Sequence, residues 1–71
     1  MDEFYLREED EYIKLGQLLK ACGFADSGSA AKEEILYGNV LVNGKKEYQR
    51  GKKIRPGDIV EFNGEKVVIC R

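Results

Sequence analysis

The sequence predicts an α+β domain, two short helices packed on a small, mostly antiparallel sheet, from three observations. Leu15, Leu18, Leu19 and Cys22 recur at helical spacing. Residues 27–44 run from a helix cap through a helix into an alternating strand. Two β-rich runs, Ile59-Val60-Glu61-Phe62 and Glu65 to Ile69, are joined by the hairpin dipeptide Asn63-Gly64.

The elements follow in chain order. Phe4-Tyr5-Leu6, a short apolar run among acids, predicts an edge strand. Glu8 to Glu11 reads as a loop or as the acidic first turn of a helix. The first helix is expected from about Tyr12 to Cys22, stopped by Gly23, with Phe24 dropping into the core beyond it. Asp26-Ser27-Gly28-Ser29 is the inter-helix turn, and Ser27 is placed to cap the second helix. Ala31 and Ile35, four apart, share that helix's inner face, and Gly38 ends it. Val40 and Val42 alternate with Leu41 and Asn43, so a strand is expected over 40–43. Asn43-Gly44 is a turn dipeptide. A long basic connection should follow from Gly44 to Arg55, pinned to the body by Tyr48 and Ile54. The turn Pro56-Gly57-Asp58 then leads into the C-terminal hairpin. Leu15, Leu19, Ile35, Val40 and Val42 should share one core.

A chain of 71 residues makes one domain with a small core that must be used fully. No apolar run is long enough to span a membrane, and the acidic start is unlike a secretory leader, so a cytoplasmic protein without membrane partners is expected. Cys22 and Cys70 form no CxxC and the chain has no histidine. Free thiols are expected, with a disulfide as the alternative, and no metal site. A monomer is expected.

The formal net charge of −1 hides an asymmetry. Residues 1–12 carry Asp2, Glu3, Glu8, Glu9, Asp10 and Glu11 against Arg7, a balance of −5, which leaves +4 for the remainder. Most of that surplus lies between Asn43 and Arg55, where six cations face Glu47 alone. A polyanion feels such a local field more than the sum.

Catalysis is disfavoured. There is no histidine, no serine or cysteine in a nucleophile motif, and no spaced carboxylate pair. No cofactor fingerprint occurs. Gly23 to Gly28 lacks the Gly-Lys-Ser/Thr of a phosphate loop and reads as a plain turn. The basic stretch is therefore the candidate for function, against the plain alternative of a solvated loop. Tyr48 within it is placed either to stack on a base or to anchor the loop. The acidic N-terminus reads as a solubilising end or as a shield for the basic side.

Ser27, Ala31, Ile35, Gly38, Val40, Val42, Asn43 and Gly44, followed by Pro56-Gly57-Asp58, stand at the spacing of a known family. From Ile13 to about Val60 the chain resembles the S4 RNA-binding domain, the αL module found in a small-subunit ribosomal protein, pseudouridine synthases and tyrosyl-tRNA synthetases. Its length and N-terminal strand are similar to the small stand-alone bacterial members of the YaaA/YbcJ type. The resemblance implies an αL fold with a core motif over 13–60, an acidic N-terminal strand and tail over 1–12, and a C-terminal hairpin over 59–69. It implies RNA as the partner, and within that structured ribosomal RNA or ribosomal particles. The implied RNA-binding residues are Lys14, Ser27, Lys32, Asn43, Lys45, Lys46, Arg50, Lys52, Lys53 and Arg55. The family usually opens its first helix with Arg-Leu-Asp, where this chain has Lys14-Leu15-Gly16. Its usual Arg after the capping serine is Gly28 here, and its helix Arg is Lys32. Each Arg-to-Lys exchange keeps charge and loses bidentate geometry. The rival reading is a protein-interaction module docking through the acidic N-terminus or a sheet edge.

Overall fold

The computed structural model describes residues 1–71. Strand β1 (Asp2–Tyr5) leads through an acidic turn to the two-residue strand β2 (Ile13–Lys14). Helices α1 (Leu15–Ala21) and α2 (Gly28–Leu36) come next. Strands β3 (Val40–Val42), β4 (Lys45–Lys46), β5 (Lys53–Ile54), β6 (Ile59–Phe62) and β7 (Glu65–Cys70) complete the chain. Five strands form one sheet in the order β1-β7-β6-β3-β4, and β2 pairs with β5 in a separate ribbon. All pairings are antiparallel except β1 with β7, which run parallel with Asp2 opposite Val67 and Tyr5 opposite Cys70.

The second helix forms as the sequence predicts. Ser27 has extended backbone and its Oγ accepts the Ala30 N–H at 3.1 Å. At the other end Gly38 takes φ +77°, and the Gly38 and Asn39 N–H groups donate back to the Ile35 and Glu34 carbonyls. That double closure satisfies carbonyls left free by the last turn, and it needs a residue tolerant of the left-handed region. Ala31 and Ile35 are fully buried on the inner face. α1 ends by the same device at Gly23, with Leu15, Leu18 and Leu19 inward and Cys22 half-buried.

One core gathers these side chains with Val40, Val42, Ile54, Val60, Val67, Ile69 and Leu6. Phe24 packs against its rim, its ring centroid 5.7 Å from that of Phe62. Cys22 and Cys70 are both free thiols. Burial, and after it the Asp2 carboxylate, raises the Cys22 thiol above its ordinary pKa. No helix is long and apolar enough to cross a membrane.

Several expectations are corrected. The first helix does not begin at Tyr12. Ile13 and Lys14 pair instead with Ile54 and Lys53, and Leu15 and Gly16 donate their N–H groups to the Lys52 and Arg50 carbonyls. Of the two readings of Glu8 to Glu11 the loop holds, a turn region tied by Arg71, whose guanidinium donates to the carbonyls of Glu8 (3.5 Å) and Asp10 (2.9 Å). The N-terminal strand covers Asp2–Tyr5 and leaves Leu6 just beyond it, buried. Asn43 leaves the strand for a tight turn with Gly44, at φ +52° and +85°. These angles match the two-residue hairpin turn whose twist suits flanking strands. The basic connection is therefore not a loop throughout, since it contains β4 and β5. As expected, Ile54 and Tyr48 pin it to the body, Ile54 deep in the core and Tyr48 at the surface, its ring against Gly38 with about half of the residue exposed.

Candidate nucleic-acid interface

The basic side chains fall into three groups, set by backbone register. The first lies where α1, α2 and residues 50–51 meet around a hollow of about 370 Å³. It is lined by Lys14, Gly16, Gln17, Lys20, Gly28, Lys32, Arg50 and Gly51, with no apolar residue among them. The N–H bonds from Leu15 and Gly16 to the Lys52 and Arg50 carbonyls hold this wall in place. Lys32 enters from α2 one turn after Gly28, because residues four apart share a helix flank. Lys20, which the sequence does not single out, also stands in this wall. Its signal was its position on α1 away from the Leu15, Leu18 and Leu19 stripe.

The second group sits on the β2–β5 ribbon. Ile13 and Ile54 face each other, as do Lys14 and Lys53. Side chains of paired residues point to one side and alternate along each strand. Ile54 faces the core, so Lys14 and Lys53 share the outer side. Tyr12 joins them, with Lys53 Nζ 5.0 Å and Arg55 Cζ 5.8 Å from its ring centroid. Cations over a tyrosine face are attracted by its quadrupole, by roughly 0.5–1 kcal/mol where exposed. The Lys52 side chain is exposed between the ribbon and the hollow. The third group, Lys45 and Lys46, is exposed on β4 at the sheet edge.

None of these cations is neutralised internally. The structure's ion pairs are both made by Arg7, with Glu9 and Asp10. A larger hollow, about 760 Å³, opens between the N-terminal segment and α1, but Glu9, Asp10 and Glu11 line it with Arg7 and Lys14, and it has no surplus of positive charge to draw phosphate. No cluster of His, Cys, Asp and Glu could hold a metal ion.

Ser27 and Asn43 are engaged within the fold. Ser27 caps α2. The Asn43 amide donates to Asp58 Oδ1 at 3.1 Å, and its Oδ1 accepts the Ile59 N–H at 2.9 Å. Asp58 Oδ2 also accepts the Arg55 N–H at 2.8 Å, so Asn43 and Asp58 together lock the hairpin turn to the start of β6. Asn43→Ala removes both side-chain bonds and puts a Cβ-only residue at positive φ. The expected loss is about 2 kcal/mol, split between hydrogen bonding and backbone strain. A thermal melt should show it as a drop of roughly 8–16 °C. Asn43→Gly, which restores backbone freedom, should recover part of it.

Comparison with known proteins places this geometry among relatives. A family model described as the S4 domain matches residues 6–70. The chain is 41% identical over 56 residues to a Bacillus subtilis protein named "Probable ribosome maturation protein RlbA", covering 79% of each. It is 40% identical over 49 residues to small ribosomal subunit protein uS4 of Kosmotoga olearia, where the match takes in 69% of this chain and 24% of the ribosomal protein. The solution structure of YbcJ from E. coli, described as revealing an αL motif involved in RNA binding, superposes with a TM-score of 0.75. The sequences are 35% identical, and the match covers 100% of this chain and 89% of YbcJ.

Proposed function

Since the chain belongs to the S4 domain family, we propose that it binds structured RNA, with ribosomal RNA or an assembling ribosomal particle as the target. It is a binding module and not an enzyme. The observation that carries the reading is the hollow lined by Lys14, Lys20, Lys32 and Arg50, none of them paired with a carboxylate. Phosphates enter it, and release of their condensed counterions supplies much of the affinity. Lys53 and Arg55 on the adjoining ribbon and Lys45 and Lys46 on the edge hairpin extend the contact. Recognition is of shape and backbone, since a paired A-form helix hides its base edges in a deep, narrow groove.

The departures from the family pattern acquire a physical sense here. Where the family pattern usually has an acid, this chain has Gly16, and a Cβ there would lie 3.5 Å from Arg50 Cβ. The missing acid leaves Arg50 uncompensated and the hollow more positive. At Gly28 a usual arginine is absent, and the hollow opens directly onto the first turn of α2. The names of the RlbA and uS4 relatives support a ribosomal target and, with it, a place in the cytoplasm. The whole chain acts as one monomeric unit, with 13–60 as its RNA-binding core.

The test is a fluorescence-anisotropy titration of the protein with a structured ribosomal RNA fragment at several salt concentrations. Log affinity should fall with log salt with a slope of about −3 or steeper, as expected for four or more phosphate contacts. An unrelated hairpin of equal length, run in competition, reports the preference for ribosomal RNA. Affinity independent of salt would sink the RNA reading and favour docking of a protein at a sheet edge.

A further inference from the structure

Large apolar side chains are left exposed around Gly38, where α2 hands over to β3: Leu36 and Tyr37 precede it in the chain, and the Tyr48 ring lies against it. Leu36 is 55% exposed, Tyr37 69% and Tyr48 54%. Scattered singly, such residues need no explanation; gathered beside a charged surface, they mark an interaction site.

Tyr48 is held in place. A Cβ at Gly38 would lie 3.2 Å from Tyr48 Cε1, 3.3 Å from its hydroxyl oxygen and 3.5 Å from Lys46 Cδ. The ring is thus seated on bare glycine backbone beside the Lys46 stem, with about half of the residue left to solvent. The chain on either side fixes its surroundings. The Glu47 N–H donates to the Val40 carbonyl at 3.0 Å, and the Arg50 carbonyl accepts from Gly16 at 3.0 Å. Tyr48 is therefore strung between the lysines of the edge hairpin and the basic hollow. On α2, Gly28, Lys32 and Leu36 follow at four-residue intervals, so the flank that lines the hollow runs on to Leu36. The nearby carboxylates are turned elsewhere. Glu47 is turned back onto the Gln49 N–H at 3.1 Å, Glu34 accepts from the Asn39 amide at 3.3 Å, and Glu33 and Glu34 line a separate hollow with Phe24 and Phe62 on the other flank of α2.

We propose that this platform takes an unpaired base of the bound RNA, stacked on Tyr48, with the neighbouring phosphates drawn to Lys46 and Arg50. The proposal rests on the RNA-binding reading above and adds a ligand feature to it: an unpaired nucleotide beside the structured part. Aromatic rings hold splayed-out bases by stacking, and every base has a π-face, so the platform is tolerant of sequence. Cations on both sides of the platform match the backbone on either side of one flipped base.

The test uses two RNAs with the same number of phosphates, one fully paired and one with an unpaired nucleotide next to the stem. Tyr48→Ala should weaken binding to the second by about tenfold, the loss of one stacked base. It should leave the paired RNA and the salt slope unchanged. Tyr48→Phe, which keeps the ring, should bind both like the parent. A 2-aminopurine at the unpaired position should lose fluorescence on binding the parent protein, a reading that holds even if the alanine variant folds poorly. No quenching with the parent overturns the proposal. So does equal binding by parent and Tyr48→Ala, equal loss on both RNAs, or loss with Tyr48→Phe. Self-association abolished by Tyr48→Ala with RNA binding intact would assign the patch to a second copy, and overturns it too. A parent that binds the paired RNA with the expected salt slope keeps the hollow's role whatever Tyr48 does. A parent that binds neither RNA overturns both readings.

Discussion

Ile35→Ala should lower the melting temperature by at least about 8 °C and by as much as about 40 °C. Ile35 is fully buried, in one core with Leu15, Leu19, Val40 and Val42. Truncating a buried isoleucine loses its transfer free energy and leaves a cavity, roughly 2–5 kcal/mol in all. In a domain of this size each kcal/mol moves the midpoint by roughly 4–8 °C. Total stability at about 0.05–0.15 kcal/mol per residue comes to roughly 4–11 kcal/mol here, so the upper end of that loss is comparable to the lower end of the whole. Leu36→Ala, one residue along and exposed, is the control and should shift the midpoint by only a degree or two. Circular dichroism melts of the two variants decide it. An Ile35→Ala protein that melts with the parent would place this residue outside the core.

The other large effect is on RNA. Replacing Lys14, Lys20, Lys32 and Arg50 together by Gln empties the hollow of charge. Each contacting cation removed should flatten the log affinity–log salt slope by about 0.7–0.9. For four such contacts, binding at about 0.1 M salt should weaken on the order of a thousandfold. Stability should hold, because exposed charges contribute little and these four repel one another. Lys66→Gln, an exposed lysine on β7 outside the hollow, should bind like the parent. If the fourfold variant retains the parent's affinity and slope, the hollow is only a solvated surface. Deleting the acidic N-terminus is a poor complement, since Asp2–Tyr5 is a strand of the sheet and its loss would damage the fold.

What the sequence made legible was local. Ser27, Ala31, Ile35 and Gly38 mark the second helix because a cap, a face and a stop each act within a few residues. Asn63-Gly64 marks its hairpin because apolar β-formers flank it on both sides. Asn43-Gly44 forms the same turn, but Lys45 and Lys46 give no β signal, so nothing local marks β4. The start of α1 is not legible locally because the partners that turn Ile13 and Lys14 into a strand are Lys53 and Ile54, some forty residues on. Lys20 is hidden for the same reason, since the hollow exists only when α1, α2 and residues 50–51 meet. The implied role of Asn43 reflects the family motif, while its observed hydrogen bonds run to Asp58 and Ile59.

The parallel pairing of β1 with β7 bears on the order of events during synthesis. Asp2 finds Val67 and Tyr5 finds Cys70, so this pairing closes a loop of 65 residues. Contacts of such span form late, because the entropy of loop closure must be met before they contribute. The helix pair and the β3–β4 turn are short-range and can form while the chain is still being made. β7 must pair with both β6 and β1 before the sheet is complete. Until β7 is in place, the acidic first strand is therefore held in waiting. The basic hollow, assembled from residues 14–51, can take shape before the sheet beside it is finished.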